Sequence, residues 1–443
     1  MATACATVPE HSDRIPASVY VDEFAAQGGY SYEEAQQFIE FCVELDDQDD
    51  RGVAGRPAET AAAVDANKWR LVYDSREAVA KDYFAYAGNA FDTRMSGSSS
   101  AGPDDGVVFW RRMFSRIKSE AAARHIGLSA PGDIQGNASL NGFGPWQNAW
   151  LLYKGVGGNE GRYAVAIRGT VFETEPSAVE NGLFQPVEGH EFLSRAVSFA
   201  RAGKATVHSG FAHATFTLLL DQRYGILPVL EREVPPGSTL YVVGHSQGAA
   251  MATLVHAFLF NGMRDAEVSG SDPLGLRNRR YRLKSYAFAQ PKPGNYAFSA
   301  DFASYTQRPD TAIVINNDLD PVPQLPLTLQ STADLEGDFQ GKFILARVVY
   351  GVSACGKWLR SGIGRVLEWR TVRSARGYGH FYHYGQLLPW QHLRSGSSWG
   401  FTPAGRVIIV YGTQQVDQGK DVFFQHHATT YRTVVAQQLG ARE

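Results

Sequence analysis

STLYVVGHSQGAAMATLVHAFLF, residues 238–260, reads as a buried strand, a tight turn at Ser246 and an apolar helix. Tyr241, Val242 and Val243 are side chains that suit a pleated strand. From Ala249 onward the small and apolar residues suit a helix packed closely on that strand. Gly244-His245-Ser246-Gln247-Gly248 between them has the G-x-S-x-G pattern, in which glycines two positions either side of a serine let strand and helix pass close together. Such a turn exposes the serine hydroxyl at the top of a sheet and aims the Gln247 N–H at any oxyanion formed there. Small residues around a serine recur by chance, so the flanking strand and helix carry the reading.

The chain has 443 residues, 44% of them hydrophobic, with 42 basic and 45 acidic residues and a net charge of -3. That is enough to bury a large core, and the balanced charge gives no general nucleic-acid signal. Cys5, Cys42 and Cys355 are too few and too scattered for a disulfide framework or a clustered zinc site. The first sixteen residues, MATACATVPEHSDRIP, lack the basic and apolar regions of a conventional signal peptide. A cytoplasmic location is therefore expected, with non-classical export as the alternative. No apolar run is long enough to span a bilayer.

Outward from the turn, alternating strand and helix signals predict a predominantly parallel α/β sheet whose chemistry lies beyond the strand ends. Strands are expected at 69–73, 148–154, 162–168, 281–289, 311–315, 342–352 and 406–411, with the turn GVGGNEG joining the second and third. Helices are expected at 32–45, at 107–125, from 211 through 220 and on to 230, and at 422–439. The acidic run 46–50 lacks the alternating ligands of a calcium loop and reads as a solvated turn, and the serine and glycine tract 95–102 reads as a loop. The predicted organisation is an N-terminal helical extension over 1–140 and a catalytic domain over 141–443, with an insertion at about 327–400.

A serine hydroxyl is a poor nucleophile at its free pKa, so Ser246 requires a histidine base held by a carboxylate. In folds built around this turn the acid and then the base follow the serine in the chain. Asp320 is the best acid, at the end of an apolar strand and stiffened by Pro321-Val322-Pro323; Asp318 competes with it. Candidate bases are His380, His383, His392, His426 and His427, and spacing does not select among them. His426 and His427 are the best placed, between the last strand and the last helix, and adjacent residues face different ways, so only one of them serves. No third ligand beside that pair suggests a metal site. His208 and His213, upstream of the turn, could orient active-site residues, but no partner visible in the sequence marks either as directly catalytic. Strand 162–168 opens into Gly169-Thr170, a good place to present a backbone N–H to a reacting carbonyl.

These motifs resemble the class 3 lipase family, which includes the fungal triacylglycerol lipases and bacterial and plant relatives. The resemblance rests on AIRGT (166–170), HSGF (208–211), GHSQG (244–248), FAQPKPGN (288–295) and NDLDPVPQLP (317–326), in that order. It implies an α/β-hydrolase fold, hydrolysis of carboxylic esters and no cofactor or metal. Ser246 would be the nucleophile and Asp320 the acid, with oxyanion donors at Thr170 and Gln247. The family's spacing of a histidine five residues before a tyrosine selects His426, with Tyr431 completing the pair, and leaves His427 as the alternative. His383 matches the family's structural H-x-G segment. Gln247 stands where leucine is common, and the length of 171–207 departs from the usual lid.

The implied substrates are acyl glycerols or related lipid esters. Leu183, Phe184 and Pro186 supply an apolar tip able to cover a lipid cleft, and the spacing fits equally an ordinary connection with a buried hydrophobic anchor. Lys357, Arg360, Arg365, Arg370, Arg373 and Arg376, with Trp358 and Trp369, suit peripheral contact with an anionic lipid surface. The alternatives are phospholipid acyl hydrolysis, a soluble short-chain carboxylesterase, and a non-catalytic interaction module of the same fold.

Overall fold

The computed structural model describes residues 24–46, 62–82, 143, 148–170, 181, 186–189, 199–221, 224–269, 272, 274–326, 400–412 and 424–440. Its strands, in chain order, are β1 (Trp69–Asp74), β2 (Trp150–Gly155), β3 (Arg162–Ile167), β4 (Pro186–Glu188), β5 (Thr206–His208), β6 (Thr239–His245), β7 (Arg282–Phe288), β8 (Gly294–Asn295), β9 (Ala312–Asn317), β10 (Phe401–Thr402) and β11 (Arg406–Val410). The helices used below are α1 (Tyr32–Asp46), α2 (Ser209–Leu220), α3 (Ile226–Glu233), α4 (Gln247–Ser269), α5 (Tyr296–Thr306) and α6 (Ala428–Leu439).

The main sheet has the order β1-β2-β3-β6-β7-β9-β11. β1, β2 and β3 pair antiparallel, and every pairing from β3 to β11 is parallel. The central strands are apolar on both faces because both faces are covered. Along β6, Leu240 and Val242 enter one core with α2, α3, α4 and α5, while Tyr241 and Val243 enter the other with α1 and α6. Neighbouring strands alternate in the same way: Val165 and Ile167 face the first core, Ala164 and Ala166 the second. Fully burying a valine, leucine or isoleucine among them contributes roughly 1.5–3 kcal/mol. This is an α/β-hydrolase arrangement, with the parallel strands ending on one rim.

The sheet crosses the boundary drawn at residue 140, since β1 pairs with β2 through Leu71↔Tyr153 and Asp74↔Leu151. Helix α1 lies across the second face and is pinned there by charge. Lys284 Nζ, buried on β7, donates to Glu34 Oε2 at 2.6 Å, and the hydroxyls of Tyr286 and Tyr241 donate to the same carboxylate at 2.8 Å each. A buried ammonium without such a partner would be strongly destabilising, so this pair sets where α1 docks. α1 in turn flanks α6, where Arg432 Nη1 lies 3.4 Å from Glu40 Oε2.

Two helices differ from the sequence-based expectation. The helix expected to run from 211 to 230 breaks at Asp221. There the Asp221 carboxylate accepts the Tyr224 N–H, and Gly225 restarts the chain so close to the Asp221 carbonyl that a Cβ would lie 2.3 Å from that oxygen. Pro228 then sits in the first turn of α3, where its missing N–H costs little. The C-terminal helix begins at Ala428, and the preceding Phe424–His426 is a 3₁₀ turn. The elbow helix α4, by contrast, runs past Phe260 to Ser269.

Among the described residues no helix is long and apolar enough to cross a membrane. The expected helix 107–125, strand 342–352, basic segment 357–376, the insertion between 327 and 399, and His380, His383, His392, Leu183 and Phe184 lie outside the described residues.

Candidate active site

Ser246 sits between the last residue of β6 and the first of α4 with φ +57°, in the left-handed region that few non-glycine residues occupy. The strain persists because the surroundings over-determine it. Ser246 N–H donates to the Phe288 carbonyl at 2.9 Å, and the Ser246 carbonyl accepts from Ala249 N–H at 2.9 Å. The flanking glycines make the crossing possible. A Cβ on Gly244 would lie 2.2 Å from the Gly248 carbonyl oxygen, and one on Gly248 would lie 2.3 Å from the Ile167 carbonyl oxygen. The second contact also brings the end of β3, and with it Thr170, beside the elbow.

Asp320 follows β9 in a short loop closed by Asp320 N–H to Asn317 O at 3.2 Å and Val322 N–H to Asp320 Oδ1 at 2.9 Å. Its side chain points inward. Asp318, two residues earlier, is exposed and accepts the Gly412 N–H at 2.7 Å. His426 ends the 3₁₀ turn before α6. Its Nδ1 lies 2.8 Å from Asp320 Oδ2 and its Nε2 lies 2.8 Å from Ser246 Oγ. A carboxylate only accepts, so Nδ1 carries the proton and Nε2 presents its lone pair to the serine hydroxyl. His427 stands at the N-cap of α6, its carbonyl accepting from Thr430 and Tyr431 N–H groups.

Ser246, His426 and Asp320 are 6%, 4% and 1% exposed, so water does little to screen their mutual interactions. Burial pushes the His426 pKa below its usual value, opposed by the Asp320 hydrogen bond and assisted by His245 nearby. The His426 imidazole is thus biased towards its neutral form, the state able to take a proton. Tyr431 supports the acid: its hydroxyl donates to Asp320 Oδ2 at 2.8 Å and accepts from Asn317 N–H at 2.9 Å. Burial raises the Tyr431 pKa well above the usual phenol value, which keeps that donor proton in place.

Thr170 and Gln247 meet through their side chains. Thr170 Oγ1 donates to Gln247 Oε1 at 2.8 Å and accepts from Asn181 Nδ2 at 2.8 Å. His208 is fully buried and stacks on Phe211 at 3.8 Å, with Nδ1 accepting the Phe211 N–H as the cap of α2. Among the described residues no group of three His, Cys, Asp or Glu side chains is placed to hold a metal ion.

Three residues at the site went unassigned from sequence. Tyr431 was marked only by its spacing from His426, His245 only by its adjacency to Ser246, and Asn181 by nothing, since an asparagine in a mixed segment carries no periodic or motif signal.

Residues 164–330 match the family described as lipase (class 3). A phospholipase A1-II 7 of Oryza sativa subsp. indica is 30% identical over 202 residues, covering 41% of this chain and 46% of that protein. The chain thus spans less than half of that relative's length. Among solved structures, the M37 lipase is 15% identical with a TM-score of 0.33, over 83% of this chain and 91% of the other. The Lip2 lipase of Yarrowia lipolytica is 18% identical with a TM-score of 0.31, over 42% and 61% respectively. The family match spans most of β3, the elbow and the Asp320 loop and stops short of His426, which joins them through the tertiary structure. Residues 164–330, which hold the elbow and the Asp320 loop, are thus similar to the class 3 lipases.

Proposed function

We propose that this chain hydrolyses carboxylic esters of lipids, acyl glycerols first, through an acyl-enzyme on Ser246. The observation that carries the reading is the unbroken hydrogen-bonded line from Asp320 through His426 to Ser246, 2.8 Å at each step. His426 Nε2 takes the Ser246 proton as Oγ attacks the ester carbonyl, and Asp320 supports the imidazolium that forms. Collapse of the tetrahedral intermediate breaks the bond to the alcohol, which leaves with the proton from His426. Water then gives its proton to the same nitrogen and attacks the acyl-enzyme; collapse breaks the bond to Oγ, which takes that proton back from His426 as the acid leaves. The backbone N–H groups of Thr170 and Gln247 are the proposed oxyanion donors, each worth about 3 kcal/mol in the transition state. The Thr170–Gln247 side-chain bond supports this role by tying the two donor segments together.

Phospholipid acyl hydrolysis is the second reading, favoured by the likeness to the rice protein named phospholipase A1-II 7. The experiment is turnover of monoacyl, triacyl and phospholipid substrates below and above their aggregation thresholds, by wild type and S246A in parallel. Ser246-dependent turnover that rises with acyl length and aggregation supports the lipid reading. Turnover confined to short soluble esters leaves a carboxylesterase. Wild-type turnover no greater than that of a folded S246A leaves an interaction module of this fold.

A further inference from the structure

His245 precedes the nucleophile and is 5% exposed. Its Nε2 lies 2.7 Å from the backbone carbonyl oxygen of His426. That oxygen can only accept, so His245 Nε2 carries a proton and donates it. The His245 ring also lies 4.9 Å from the His426 ring and meets Tyr431 edge-on at 5.6 Å.

The base needs such a support because of how it is carried. Ser246 is held by the main-chain frame of β6, β7 and α4, whereas Phe424–His426 is a 3₁₀ turn outside both sheets. On the side nearer β9, Asn317 Nδ2 donates to the Gln425 carbonyl at 3.1 Å and to Gln425 Oε1 at 2.8 Å. On the side of the nucleophile strand, the His245 donor reaches the His426 main chain itself. Because His245 is covalently next to Ser246, this bond measures the base against the nucleophile's own backbone.

We propose that His245 is a positioning residue: its Nε2–H bond to the His426 carbonyl sets the His426 main chain so that Nε2 of that base meets Ser246 Oγ. The inference rests on the hydrolase reading of this site. A displacement of about 1 Å at a reacting group can cost on the order of 100-fold in rate.

The test compares H245Q, H245L and H245N with wild type and S246A on p-nitrophenyl butyrate, with the melting temperature of each and the rate of Ser246 labelling by a fluorophosphonate. Glutamine places an N–H near the position of the histidine Nε2, leucine fills similar space without a donor, and asparagine is too short to reach. The expected result is a fall in kcat of about 100-fold for H245L and H245N with KM within twofold. H245Q should recover kcat to within about fivefold of wild type. Labelling rates should follow kcat, and if H245L proves too unstable, the contrast of H245N with H245Q decides alone. A kcat for H245L or H245N within threefold of wild type overturns the positioning role and leaves the hydrolase reading standing. So does an H245Q as slow as H245N, because the ring and not the donor is then what matters. A wild type that neither turns over the ester nor takes the label overturns the hydrolase reading and this inference with it.

Discussion

Ser246 stands where a strand and a helix adjacent in the chain meet, whereas His426 reaches the same point from a short turn 180 residues further on. The first is held by backbone: two close approaches at Gly244 and Gly248, a left-handed Ser246 and main-chain hydrogen bonds on both sides. The second is held by side chains, namely His245, Asn317, Asp320 and Tyr431. A nucleophile built from local backbone geometry tolerates almost no substitution in its turn. A base held by distant side chains can be loosened in steps, and those steps are measurable.

The largest expected effect comes from the doubled histidine. H426A should lower kcat on a soluble ester by about 10⁵-fold, comparable to S246A, because the remaining machinery cannot move the serine proton. H427A, at the N-cap of α6, should stay within about threefold. Comparable losses in both variants would show that the base side is not fixed as described.

The two aspartates come next. D320N should cost about 10⁴-fold in kcat with the fold intact, since an amide favours the wrong histidine tautomer. D318N removes only an exposed acceptor of the Gly412 N–H and should leave kcat within twofold.

Smaller is Y431F, which deletes a donor to Asp320 and an acceptor for Asn317 N–H. It should destabilise the fold by about 1–3 kcal/mol in denaturant melts and lower kcat by about tenfold. A wild-type kcat with lost stability would make Tyr431 a strut for α6 alone.

The mildest probe is pH. Burial pushes the His426 pKa below the usual 6.5, so the acid-side midpoint of kcat/KM on a soluble ester should lie below pH 6.5. That ratio should fall tenfold per unit only once the pH drops through that depressed value. A midpoint at or above 6.5 would break the picture of a buried base. Stability should follow the same direction. His208 and His256 are pushed down to about 3 by burial, so the unfolded chain binds protons that the folded one refuses. Their contribution is fully present above pH 6.5 and lost as the pH falls towards 3, at up to about 1.4 kcal/mol per unit for each histidine.

The residues that were legible from sequence share one property, which is that their constraints act within a few positions. The elbow declared itself through glycine spacing, and the Asp320 loop through the polar turn closing an apolar strand. The parallel strands were legible as apolar runs, because a strand buried on both faces has no polar side to display. The break at Asp221 has no signal in the sequence because apolar residues on both sides continue the helical pattern across it. Only the capture of Tyr224 N–H by the Asp221 side chain ends the helix. The start of α6 was placed too early for a related reason: Phe424 and Gln425 read as helix, yet they belong to a turn whose shape is set by partners in β6 and β9.

By itself, then, the sequence determined the serine elbow, the parallel α/β frame around it and a short set of candidate acids and bases, because backbone sterics and side-chain periodicity are local. The tertiary structure decided what the sequence left with alternatives: His426 Nε2 meets Ser246 Oγ, Asp320 Oδ2 meets His426 Nδ1, and His245 and Tyr431 hydrogen-bond to that line. Each of those choices is a hydrogen bond of fixed direction between segments over 100 residues apart. Neighbouring residues on a turn differ in direction far more than in chemistry, so the fold had to select between them.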